Sequence, residues 1–327
     1  MKNNLRINII GSLVVMIITF LMVQYMGHLL DPKWTESAMD AIRAFHLLEE
    51  NSVDVIIYGS SHALKGCEVM EMYKNYGIAA YNYGNNWQKL NTTLLFLQDS
   101  LKTQTPKVVC IETRFAGTVL EDTDLTGEIY YTRPIKNFEG KKAYLKKCFG
   151  TDLVRYFEYY VPLTMFHENW NVVEEENFNR PNPQLYLRSM GYRGTTKVRP
   201  VTLGDYKQFE QKSLPDKSKE ILDQMVQCCN EKGIKIIFYT VPYEGTYKYI
   251  DSMTHYAMEN GCEYINLFAH IEELGMDSGT DFRDLDHLND SGSKKVANFL
   301  GKYIKEHYNI PDARKIKGNL WEQNLSK

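Results

Sequence analysis

The residues best equipped for chemistry stand far apart in the sequence. Gly59-Ser60-Ser61-His62 follows directly on a short β-branched run, and Asp281-Phe-Arg-Asp284-Leu-Asp286-His287-Leu-Asn-Asp290 lies near the other end. Asp284 and His287 are three apart, so one turn brings a carboxylate beside an imidazole. Such a carboxylate fixes the ring's tautomer and stabilises the imidazolium. The imidazole is then a competent base for a serine hydroxyl, which alone attacks a carbonyl weakly. Ser61 supplies that hydroxyl, and the order Ser…Asp…His is compatible, because triads are defined by roles. By itself Gly-Ser-Ser is also what ends a strand and caps a helix, so Ser61 takes its meaning from Asp284 and His287. The carboxylates of this loop have a Ca²⁺ site as their alternative, but the spacing is not that of an EF-hand. No metal and no cofactor is expected.

Holding these groups together requires elements that end at one edge. Residues 53–58 read as a strand buried on both faces. Residues 78–83, 107–112, 234–241 and 263–267 read as further strands, with helices at 36–50, 68–75, 91–101, 213–232, 247–260 and 291–305 between and around them. Alternation of this kind implies βαβ units, hence a three-layer, flavodoxin-like α/β fold with a central parallel sheet of about five strands. Ligands in such sheets sit at the carboxyl ends of the strands, which is where Ser61 falls. Tyr243, two residues past the fourth strand, points to the same edge as a substrate contact. The α/β part is read as residues 32–112 and 213–310. Residues 113–212 form an aromatic-rich insertion that caps the sheet, partly helical near 152–160, with polar stretches at 121–127 and 174–183, and 311–327 is a loosely attached tail. His167 and Trp170 in the insertion read as packing, with a sugar groove as the alternative. His62 reads as a rim residue beside the nucleophile.

Three short blocks carry a resemblance. Gly59-Ser60-Ser61-His62 resembles the first block of the SGNH, or GDSL-type, hydrolase superfamily, with Ser61 at the nucleophile and Ser60 where an Asp usually stands. Asn82-Tyr83-Gly84 resembles the second block, whose glycine amide joins the oxyanion hole. Asp284-Leu-Asp286-His287, followed by Leu288-Asn289 and Gly292, resembles the closing Asp-x-x-His block. The third block departs: where the family has Gly-x-Asn-Asp, this chain has Glu112-Thr113-Arg114. An oxyanion donor of that kind is worth about 2.7–4 kcal/mol. Arg114 or Asn85 stands near enough in sequence to replace it, and a salt bridge to an acid is the other reading of Arg114. With an amino-terminal anchor, the pattern is similar to the membrane-anchored extracytoplasmic branch, which includes DltD-type proteins and the SGNH proteins of polysaccharide O-acetylation. The resemblance implies serine-dependent acyl transfer or ester hydrolysis on a cell-envelope polysaccharide or teichoic-acid-like polymer, beside a membrane-bound O-acyltransferase. A catalytically weak scaffold partner of that acyltransferase is the alternative.

The anchor itself is read from residues 7–30, almost uninterrupted hydrocarbon and longer than the roughly 20 residues a membrane helix needs. Lys2 and Arg6 precede it, while Asp31 and Glu36 follow with only Lys33, so the positive-inside rule puts the amino terminus in the cytoplasm and the rest outside. The run is long for a cleaved signal, and residues 1–31 are read as a cytoplasmic stub and single-pass membrane anchor. A net charge of −3 gives no general affinity for nucleic acid. The six cysteines include no Cys-x-x-Cys pair, which argues against a zinc site, and no disulfide framework is expected.

Overall fold

The computed structural model describes residues 2–118, 127–178 and 182–326. The polar stretch read at 121–127 therefore lies, up to residue 126, outside the described part. The chain opens with α1 (Lys2–Leu30) and α2 (Lys33–Phe45), and continues through β1 (Val55–Tyr58), α3 (Ser61–Gly66), α4 (Val69–Tyr76), β2 (Ala80–Asn82), α5 (Leu90–Ser100) and β3 (Val108–Glu112). Short helices follow: α6 (Gly127–Tyr131), α7 (Phe138–Phe149), α8 (Leu153–Tyr160), α9 (Pro162–Phe166), two 3₁₀ turns at His167–Val172 and Glu175–Phe178, and α10 (Gln184–Arg188). The alternation resumes with α11 (Asp216–Asn230), β4 (Lys235–Thr240), α12 (Ile250–Glu259), β5 (Glu263–Asn266), α13 (Ile271–Leu274), α14 (Asp290–His307) and α15 (Leu320–Leu325).

The five strands form one parallel sheet in the order β2-β1-β3-β4-β5. The path moves to one side from β1 to β2 and to the other from β2 to β3. Right-handed crossovers then place the intervening helices on opposite faces. Helices α4 and α14 pack together on one face, and α5 with α11 on the other. Every residue of β1 and β3 is buried, as a strand covered on both faces requires. Burying Val55, Ile56 and Ile57 contributes about 1.5–3 kcal/mol each. The reversal of strand order lies between β1 and β3, where a parallel sheet opens a crevice at its carboxyl ends.

Helix α1 contains a 23-residue span, Asn8–Leu30, of mean hydropathy 2.2, long and apolar enough to cross a membrane. Its apolar side chains from Ile9 to Met26, Val23 apart, are exposed. Between β3 and α11, α9 packs on α1, α6 and α10 on α2, and α7 on α5, while α8 packs on α9 and α7.

The carboxyl-terminal tail differs from the expectation of a loosely attached segment. Trp321 is only 2% exposed, and its indole N–H donates to the Ala80 carbonyl of β2 at 2.8 Å. Asn319 donates to Tyr73 Oη at 3.0 Å. Strand β2 is an edge, and open edges recruit other chains. Here the indole and the backbone of Met190, whose carbonyl accepts from Asn82 N, close it.

Candidate active site

Ser61 owes its position to a turn that only one residue type permits. Gly59 has φ +139°, and a Cβ there would meet the Glu112 Cβ at 2.6 Å. The chain can therefore leave β1, pass close over the end of β3 and start α3 at once. Ser60 caps that helix by accepting from His62 N at 3.2 Å, while its own hydroxyl donates to Glu112 Oε2 at 2.8 Å. Glu112 also accepts from Arg114 N at 2.6 Å. The buried carboxyl thus ties the ends of β1 and β3 together. Burial pushes Glu112 up to about 7, against the hydrogen bond from Ser60 and the neighbouring Arg114.

The loop before α14 delivers the other two groups. Phe282 and Leu288, both buried, pair across an antiparallel bridge, and Arg283 N donates to the His287 carbonyl at 3.0 Å. Asn289 caps α14 by accepting from Ser291 N and Gly292 N. Asp284 and His287 sit at the tip this arrangement holds. His287 Nδ1 lies 2.8 Å from Asp284 Oδ1, and His287 Nε2 lies 2.8 Å from Ser61 Oγ. With a carboxylate facing it, Nδ1 carries the proton and donates, leaving Nε2 to accept from the serine hydroxyl.

The electrostatics suit this assignment. Burial raises Asp284, but the charge and hydrogen bond of His287 and the amides of Asp286 and His287 outweigh it, and the carboxyl lies below its ordinary value. Burial first, then Lys65, lowers His287 below 6.5 against the pull of Asp284. The resting imidazole at neutral pH is therefore neutral. The acids of this loop go separate ways: Asp286 lies 3.7 Å from Arg114, and Asp290 accepts from Tyr192 Oη at 2.9 Å.

A cleft of about 160 Å³ opens over Ser61, walled by His62, Lys65, Asn86, Trp87, Arg114, Phe115, Asp286 and His287. Of the residues expected here from sequence, Ser61, His287 and Arg114 line it, and Asp284 backs His287. Gly84 packs beneath: a Cβ there would lie 2.8 Å from Leu64 N, and its amide donates to Asn82 Oδ1 at 3.0 Å. Asn85 is buried and turned away, donating to the Ala38 carbonyl at 3.2 Å. Its neighbour Asn86 reaches the cleft instead. Tyr243 is buried behind Arg114, whose guanidinium lies 4.2 Å above its ring and donates to its hydroxyl at 2.6 Å. Arg114 is thus braced between Tyr243 and Asp286.

His62 stands on the wall, its ring 5.1 Å from Tyr243 and 5.4 Å from His287. Burial, then Arg114 and His287, depress it well below 6.5, so it faces the cleft as a neutral ring. Lys65 is lowered to about 8 by burial and Arg283.

Sequence reasoning passed over Asn86, Trp87, Phe115 and Lys65, and gave Glu112 no part in holding the Ser61 turn. Trp87 is 64% exposed, has φ +57° and stacks on Phe115 with ring centroids 6.2 Å apart. A tryptophan in the turn after a strand's carboxyl end was the available signal. His167 and Trp170, read as packing, are both exposed and lie in the segment around α1.

No protein-family model matches this sequence, and no curated protein does. Among solved structures, the chain is similar to a Bacteroides fragilis protein described provisionally as an acylhydrolase. The two are 13% identical with a TM-score of 0.40, over 81% of this chain and 94% of that one. A likeness this distant carries no argument about activity, which rests on the site itself.

Proposed function

We propose that this chain is a serine-dependent acyl-transfer enzyme of SGNH type, tethered by α1 with its catalytic domain outside the membrane. The observation that carries the proposal is the unbroken series Ser61 Oγ, His287 and Asp284, each contact 2.8 Å. Ser61 attacks an ester or thioester carbonyl while His287 Nε2 takes its proton. Asp284 stabilises the imidazolium. The tetrahedral oxyanion collapses, and the leaving group departs with the proton from His287. Water or a sugar hydroxyl, deprotonated by the same ring, then releases the acyl-serine. The Ser61 amide, in the first turn of α3 and without an intrahelical partner, is the first oxyanion donor; Asn86 or Arg114 is the second.

The acceptor we favour is a cell-envelope glycopolymer. The exposed Trp87, stacked on the half-buried Phe115 beside Ser61, supports it, because an aromatic face covers the apolar face of a sugar ring. The anchor and the sequence blocks support action beside a membrane-bound O-acyltransferase.

One observation favours the weaker alternative, a scaffold with little catalysis of its own. The Gly84 amide is engaged by Asn82, and β3 ends without the usual Asn. A fluorophosphonate probe on the full chain in detergent separates the two. We expect labelling that disappears in Ser61→Ala and falls steeply in His287→Ala. Absence of labelling, with Ser61→Ala fully active in cells, would overturn the enzyme.

A further inference from the structure

Helix α8 is turned inside out relative to a helix of a soluble domain. Tyr159 is buried and Tyr156 packs on Phe149, while Leu153, Val154, Phe157 and Tyr160 are exposed, Leu153 by 80%. Positions 153, 154, 157 and 160 share one face. In the following turns Trp170, 73% exposed, Val172 and Phe178 are exposed too, interspersed with the exposed Glu168 and Glu174. Exposed apolar surface of this extent marks an interaction face.

What covers it is indicated by its position along α1. Gln24 donates to the Tyr160 carbonyl at 3.2 Å, and the Cα of Gly27 is so close that a Cβ would lie 3.0 Å from Leu163 N. Asn177 and Asn169 donate to the carbonyls of Leu29 and Leu30 at 2.9 and 3.0 Å. Segment 153–178 therefore reaches back along the apolar span from Leu30 to Gln24, about 9 Å at 1.5 Å per residue. That is the depth, about 5–10 Å, to which interfacial helices sink. Above it the contacts become ionic, with Lys33 bound to Glu174 at 2.6 Å. Arg155 and Glu158 of α8 are half-buried and lie off this face.

We propose that the exposed face of residues 153–178 docks into the headgroup–acyl boundary of the membrane that α1 crosses. This rests on reading α1 as a membrane span. The domain is then held at two places, by a spanning helix and by an embedded flank, which fixes its orientation on the bilayer. Trp170 and Tyr160 take the place that amphipathic rings occupy at membrane interfaces.

The test uses the full chain in nanodiscs of pure phosphatidylcholine and phosphatidylglycerol, with and without lipids brominated high on the acyl chain. The Trp170 emission is isolated by difference from Trp170→Phe. Docking predicts that brominated lipid removes most of it and that aqueous acrylamide leaves it largely intact. In Leu153→Asp/Phe157→Asp the chain stays in the disc but Trp170 becomes open to acrylamide. A chain that enters the disc with Trp170 quenched by acrylamide and untouched by brominated lipid overturns docking alone, and points to a protein partner for this face. A chain that fails to enter the disc overturns the span, and docking with it.

Discussion

At the scale of single residues, the unusual feature is how the turn that carries Ser61 is held. Ser60 stands where the resembling family has a carboxylate, and the carboxylate comes instead from Glu112 at the end of β3, accepting from Ser60 Oγ and Arg114 N. Its pKa is raised from 4.5 to about 7, chiefly by burial. A group whose folded value lies above its unfolded one binds more protons in the native state. Its favourable contribution is complete below pH 4.5 and is lost as pH rises through 7. The shift corresponds to about 3 kcal/mol. Urea unfolding of the full chain in detergent should therefore show wild-type stability falling between pH 5 and 8 relative to Glu112→Gln, which has no proton to lose there. His62 and His287 titrate in both proteins and cancel in the difference. A pH-independent difference would remove Glu112 from this role.

At the scale of elements, closure of the β2 edge by the tail gives the next prediction. Trp321→Ala removes a buried indole and leaves the Ala80 carbonyl without its donor. Replacing a buried tryptophan costs about 3–5 kcal/mol, and denaturant unfolding should show a loss in that range. A loss near zero would mean that the edge closes without the tail. This contact was hidden in the sequence because a lone Trp after a helix has no periodicity and its partner is 241 residues away. The strands were legible for the opposite reason. Their β-branched runs, stopped by Gly59 and Pro242, report burial on both faces locally. Ser61 and the Asp284–His287 pair were legible because each lies at a strand end or loop that pattern alone locates. Gly84 and Asn85 were not, because which of consecutive residues faces a cleft depends on how the turn after β2 packs beneath α3. The Gly84 amide turns to Asn82, Asn85 turns to Ala38, and Asn86 is left on the wall. In residues 113–212 the helix near 152–160 was legible and is α8, whereas α6, α7, α9 and α10 stayed opaque because they are specified by contacts with α1, α2 and α5 rather than by a pattern of their own.

At the scale of the whole molecule, the question is on which side of the membrane the cleft works. Lys2 and Arg6 lie just before the apolar span. Beyond it, Asp31 pairs with Arg133 at 2.5 Å and Lys33 with Glu174 at 2.6 Å, so the charges at that end are matched within the domain. The unbalanced positive charge is amino-terminal, and orientation follows Lys and Arg near the ends of a span. Protease added to intact, wall-stripped cells should therefore remove a carboxyl-terminal epitope, whereas an epitope lost only after lysis would reverse the orientation. The outcome also constrains the chemistry. With the domain outside, where there is no ATP to activate an acyl group, the acyl chemistry proposed for Ser61 would draw on a donor already activated and passed across the bilayer, or would release acyl groups to water. The docking proposed for residues 153–178 would suit the first task, because a cleft held at fixed orientation would let donor and acceptor meet one side chain at a set height above the lipid.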